Sequence, residues 1–145
     1  MATFSQYQAG LGHVGSYQVS GTPYITGSGA LVKGQEDKIR FPRVAKAVTV
    51  INHAAGSTTD DDIYVHYNAT GSGDVIAGKH YVPLNYARDS ITLTMKCSEI
   101  YISAPTTNAD NAAYTLIAEL TSIPDGEMIT LTGSGLTTSD SGLGA

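Results

Sequence analysis

In the stretch DSITLTMKC, residues 89–97, every second side chain is apolar: Ile91, Leu93, Met95 and Cys97, with Thr92, Thr94 and Lys96 between them. A repeat of two puts alternate side chains on opposite faces of an extended chain. The segment therefore predicts a half-buried strand with the first set inward. The texture recurs: DIYVHYN sets Ile63, Val65 and Tyr67 against Tyr64 and His66, and EIYISA sets Ile100 and Ile102 inward. KIRFPRVAKAVTVIN predicts a short strand, a break at Pro42, and a second strand ending at Asn52. Further strands are expected around His80–Leu84 and over MITLTG, residues 128–133. YTLIAEL, residues 114–120, is long enough for a helix, but its β-branched and aromatic content, with Pro124 close behind, favours a strand. Short strands separated by Gly, Ser, Asp and Asn turns predict an all-β chain, an antiparallel β-sandwich of jelly-roll-like type.

The strand texture is expected to occupy residues 38–133. Residues 1–37 read as an extended N-terminal arm, with short β segments at SYQVS and PYITG as an alternative within it: Gly and polar residues recur every few positions, and Val14, Val19, Ile25, Leu31 and Val32 are isolated. Residues 134–145, SGLTTSDSGLGA, read as a low-complexity C-terminal tail. Ordering a residue costs about 1–2 kcal/mol of backbone entropy, so fixing some 35 residues costs on the order of 35–70 kcal/mol. A few isolated apolar side chains, at roughly 1.5–3 kcal/mol each, do not offset that. Such an arm is expected to be held by neighbouring chains.

GLGHVG, residues 10–15, has the glycine spacing of a dinucleotide-binding loop. That loop needs a buried strand before it and a helix opening at its end, so that backbone N–H groups meet a pyrophosphate. Upstream, MATFSQYQA carries no hydrophobic run; downstream, Gly21, Pro23, Gly27 and Gly29 forbid a regular helix. The nucleotide reading fails. The glycines are expected instead to let an extended arm lie close against another chain or add a strand to its sheet.

The net charge of −5 argues against nucleic acid as a partner. A loose basic edge runs through Lys33, Lys38, Arg40, Arg43 and Lys46, read as a solvated strand rim or an ionic contact to an acidic partner. The single Cys97 leaves no internal disulfide or cysteine-based zinc site, and it is expected as a buried small hydrophobe. The polar N-terminus has no signal-peptide pattern, and no apolar run has membrane-spanning length. A soluble chain, made in a cytoplasm, is expected. His13, His53, His66 and His80 are scattered and read as surface residues. Asp60–Asp62 lack calcium-loop spacing, NAT at 68–70 reads as an inert glycosylation triplet, and no GxSxG elbow occurs. No catalytic residue, metal or cofactor is expected.

The phrases GLGHVGSYQVSGTPYITGS, IRFPRVAKAVTVIN, IYVHYN, HYVPL, MKCSEIYISA, YTLIAELTSIP and LTGSGL together resemble small virion structural proteins of marine tailed phages, notably cyanophages. The resemblance runs from about residue 10 to 136. It implies a non-enzymatic β-sandwich on the virion's capsid surface: a decoration (cement) protein seated on the major capsid protein, forming trimers or dimers with copies of itself and clasping capsomers with its arms. Gly10, Gly12, His13, Gly15, Tyr17 and Tyr24 of the arm, with Arg40 and Arg43 of the basic edge, are the residues expected to touch the partner. Two other readings stand beside it: a tail, collar or fibre-associated protein of the same particle, and a carbohydrate-binding β-sandwich that uses its tyrosines. The nine tyrosines suit either a glycan or a protein surface, while the absence of Trp counts against the glycan.

Overall fold

A computed structural model describes residues 10–12, 14–17, 22–53, 62–70, 75–85 and 88–128. Among these residues seven strands carry the fold: β1 (Thr22–Leu31), β2 (Glu36–Asn52), β3 (Ile63–His66), β4 (Val82–Leu84), β5 (Ser90–Leu93), β6 (Cys97–Ser103) and β7 (Ala112–Pro124). Single 3-10 turns lie at Val14–Tyr17 and Asp125–Glu127. Every strand pairing is antiparallel, in the order β1-β7-β2-β6-β3-β4, with β5 also on β2. The all-β antiparallel architecture is as expected; nothing in this order identifies a jelly roll. Among the described residues no helix is long and apolar enough to cross a membrane.

β2 organises the sheet. One of its edges pairs with β7, while its other edge takes β6 along the first half and β5 along the second. Its C-terminal end is tied to the β4–β5 connection by Asn52, which is fully buried: Nδ2 donates to Leu84 O (2.8 Å), N to Asp89 O (2.8 Å), and O accepts from Arg88 N (2.7 Å). The strands thereby close around one core, in which Val48, Val50, Ile63, Val65, Ile100, Ile102, Leu116 and Leu120 meet. β7 shows the period of two from Ala112 to Leu120: Ala112, Tyr114, Leu116, Ala118 and Leu120 are buried, and Ile117 and Glu119 are exposed, before the phase shifts at the buried Thr121.

Three details depart from the sequence reading. Pro42 does not end its strand; β2 runs through it, with Phe41–Val44 bulged opposite Ser98 because proline offers no ladder N–H. The bulge carbonyl of Val44 is satisfied by the buried Thr121 hydroxyl (2.7 Å). DSITLTMKC is not one regular strand, because Lys46 and Ala47 of β2 oppose three residues, Thr94–Lys96, where β5 passes into β6. That bulge turns Met95 outward, 47% exposed, whereas Cys97 is buried as expected, its thiol pushed up to about 12 by burial.

The arm of residues 1–37 is the largest correction. Residues 22–31 are β1, paired along β7 of the same chain, and β2 begins at Glu36. Gly27 permits this pairing, since a Cβ there would fall on the Tyr114 carbonyl oxygen. Tyr24 packs against the core, edge-on to Phe41 with ring centroids 5.5 Å apart. The turn into β2 places Gly34 at φ +82°, in the region that favours glycine. Residues 22–37 are thus held by their own sheet, so the entropy argument for outside support no longer applies to them. His13, the expected last strand over 129–133 and the tail from 134 lie outside the described residues.

Candidate functional site

Several of the expected partner residues lie near the end of β7: a Cβ on Gly10 would stand 3.9 Å from Glu127, Arg40 reaches Asp125, and Arg43 is in register with Pro124. Gly10 and Gly12 lie in a turn ahead of the Val14–Tyr17 3-10 turn, which includes Gly15 and Tyr17 and packs against β7. Lys96 Nζ donates to the Leu11 carbonyl (3.1 Å). The described residues of GLGHVG are therefore turned rather than extended, and among them no α-helix opens. Arg40 and Arg43 sit on β2 within an ionic rim of the same chain. Lys38 Nζ lies 3.1 Å from Glu99, Arg40 approaches Glu99 (4.0 Å) and Asp125 (3.9 Å), and Arg43 donates to Ser122 O (3.4 Å). These exposed pairs are worth little individually.

Two other features are chemically distinctive. The first is the outer face of β1, β7, β2 and β5, where cross-strand register builds the row Ile25, Ile117, Thr49 and Thr92. Ile25 is 67% and Ile117 37% exposed, and the Thr49 and Thr92 hydroxyls bond each other at 2.9 Å. The neighbouring row, Gly27, Thr115, Ile51 and Ser90, is also uncharged. In the third, Pro23, Glu119 and Ala47, the one charge is paired with Lys46 (3.7 Å). A large apolar residue open to solvent on an uncharged edge strand marks a contact surface more often than a solvated one.

The second feature is a buried polar cluster at the other end of the sheet order. Register brings Glu36 opposite Ser103, Ser103 opposite Tyr64, and Lys38, Tyr101 and His66 into the next row. His66, expected at the surface, is only 1% exposed. Its ring lies parallel to Tyr101 (centroids 5.9 Å apart, 8° between planes), and Lys38 Nζ stands 5.5 Å from the centre of the Tyr101 ring. Nδ1 meets the Asn68 carbonyl at 2.6 Å and Nε2 meets Ser103 Oγ at 2.9 Å. A carbonyl only accepts, so Nδ1 carries the proton; in the neutral ring Nε2 accepts and Ser103 donates. Glu36 Oε2 lies 3.7 Å from Nε2 and accepts the Thr70 N–H (2.8 Å). Burial holds this imidazole below its ordinary value near 6.5, against the opposing pull of the Asn68 carbonyl and Glu36. A sequence signal was present: His66 sits inside the apolar run IYVHY.

A serine hydroxyl bonded to an oriented histidine is the beginning of a nucleophile, but an acyl-transfer site also needs donors aimed at a developing oxyanion. The nearby Gly34, Gln35 and Ala104 N–H groups are spent on Ala104, Val32 and Gln35 carbonyls. Asp62 meets Asn108 through its backbone, its N–H donating to Asn108 Oδ1 (3.0 Å) and its carbonyl accepting from Asn108 Nδ2 (2.9 Å). Among the described residues no three His, Cys, Asp or Glu side chains gather as metal ligands. Compared with known proteins, the chain matches no family model, no curated relative and no solved structure.

The histidine geometry has a measurable consequence. Because the folded-state value lies below that of the unfolded chain, the unfolded state binds the extra proton, and stability falls with acidification. Unfolding free energy is expected to be level above about pH 7 and to drop below about 6.5, by no more than about 1.4 kcal/mol per pH unit for this one proton. Urea titrations of the native chain and of His66→Gln at pH 7.5 and 5.5 test it: the variant should lose that part of the drop. An equal drop in both would assign it to other groups.

Proposed function

We propose that this chain is a non-enzymatic virion structural protein: a capsid decoration (cement) protein that sits on the major capsid protein and fastens the phage head. The observation that carries the reading is the outer face of β1, β7, β2 and β5, whose one described charge, Glu119, is paired with Lys46, and on which Ile25 and Ile117 are presented to solvent from two neighbouring strands. Shell proteins associate through broad surfaces whose core is depleted in charge, and this face has that chemistry. The resemblance of its strand phrases to small virion proteins of marine tailed phages agrees with it. The partner surface is thereby assigned to a sheet face and not to the glycine loop.

Recombinant protein mixed with shells lacking it should co-sediment. Ile25→Glu with Ile117→Glu should weaken that binding at least about tenfold, because a charge buried in such a contact is strongly penalised. Both positions are open to solvent, so the unfolding transition should survive. Decoration by the double variant at native strength would end this reading. Counting copies by quantitative imaging separates the head from the tail: a decoration protein covers the shell, whereas a collar or fibre component is present in few copies at one vertex.

A further inference from the structure

Above the Ser103–His66 pair lies a cleft of about 260 Å³, which Tyr64, Thr70, Ile76, Ser103, Pro105 and Thr107 help to line. At the roughly 30 Å³ a liquid water occupies, it holds the equivalent of about nine waters. That is below the roughly 300–1,000 Å³ of drug-sized sites, so it suits a single ring. Among the described residues no charged side chain lines it, and the Glu36 carboxylate stands behind Ser103 on the neighbouring strand. One wall is apolar, from Ile76, Pro105 and Tyr64; the rest is hydroxyl and amide, from Ser103, Thr70, Thr106, Thr107 and Gln35. Tyr64 is held by stacking on Tyr81, with centroids 4.0 Å apart.

Ser103 gives the cleft a directional preference. Asn68 O fixes the proton on His66 Nδ1, so neutral His66 takes the Ser103 hydrogen at Nε2. The serine oxygen is left with lone pairs, and any group meeting it must donate. A hydroxyl satisfies that requirement; a carboxylate or phosphate does not, and the nearby Glu36 repels it as well. We propose that the cleft binds one neutral sugar ring, a single or terminal pyranose, with its apolar face on Tyr64, Pro105 and Ile76 and a hydroxyl donated to Ser103. The site stands apart from the shell-docking face, which belongs to the β1 end of the sheet order, and either assignment can fail without the other.

The test is an NMR titration of the full chain, following backbone amides, with glucose, galactose, mannose and N-acetylglucosamine at millimolar concentration and glucuronate as the anionic comparator. At least one neutral sugar should shift the signals of Thr70 and Ser103–Thr107. Glucuronate, whose ring hydroxyls can still donate, should bind at least about tenfold more weakly because the nearby Glu36 repels its carboxylate. Ser103→Ala strips His66 of its partner and endangers the fold; Ile76→Trp, at an exposed position, fills the cleft instead and should abolish the shifts while leaving the remaining spectrum unchanged. Silence from all four sugars, equal binding of glucuronate, or native binding by Ile76→Trp would each overturn the assignment.

Discussion

Leu116→Ala should lower the unfolding free energy by about 2–5 kcal/mol, while Ile117→Ala, one residue along, should change it by less than about 1 kcal/mol. Leu116 is wholly buried, in register with Thr26 on one side and Val50 on the other, so truncation removes methyl groups and leaves a cavity that a three-stranded ladder cannot collapse into. Ile117 points to the outer face and gives up only partly exposed surface. Against a typical total of about 5–15 kcal/mol, the first change is a large fraction of all stability and should shift the melting point by on the order of 10 °C. Because strand side chains repeat every two residues, a one-residue slip of β7 would exchange the two effects. Thermal and urea unfolding of both variants therefore tests the register that creates the outer face. If Ile117→Ala proves the costlier substitution, the row Ile25, Ile117, Thr49 and Thr92 does not exist as described.

What could be read from the sequence follows from where each strand sits. β7 has a neighbour on both sides and a core beneath, so burial imposes alternation from Ala112 to Leu120 and the pattern is visible. β1 has one described neighbour, β7, and exposes most of its side chains; selection for apolar residues acts on few positions, and Gly27 and Pro23 make it resemble a loop. The glycine that suggested flexibility is required by close packing on Tyr114. The bulges at Phe41–Val44 and Thr94–Lys96 insert residues without changing composition, which is why Met95 was expected inward. The Glu36–His66–Ser103 cluster was out of reach for another reason. Its members come from β2, β3 and β6, and only the pairing of Ser103 with both Glu36 and Tyr64 brings them together. Local pattern reports which face a residue occupies; which residues share that face is decided by register.

The same correction changes what an N-terminal truncation should do. Read as an arm, residues 1–30 could be removed from a domain that stays folded; as part of the sheet, they cannot. Deleting 1–30 removes nearly all of β1, strips β7 of one edge from Tyr114 to Leu120 and takes away Tyr24, whose ring covers Phe41. Loss of the Tyr24 side chain alone costs roughly 1.5–3 kcal/mol, before the backbone pairing and the newly exposed apolar edge are counted. That variant should lose its cooperative transition or aggregate. Deleting 1–21 leaves β1 intact and gives up the Lys96–Leu11 bond and the packing of the Val14–Tyr17 turn on β7. It should unfold cooperatively, within about 2 kcal/mol of the full chain. Circular dichroism melts of the two deletions distinguish sheet from arm, and equal stability of both would return β1 to the arm. Co-sedimentation of the 1–21 deletion with shells then divides the docking. Native binding assigns it to the outer face, where Ile25 and Ile117 remain; lost binding with an intact melt assigns it to the segment removed.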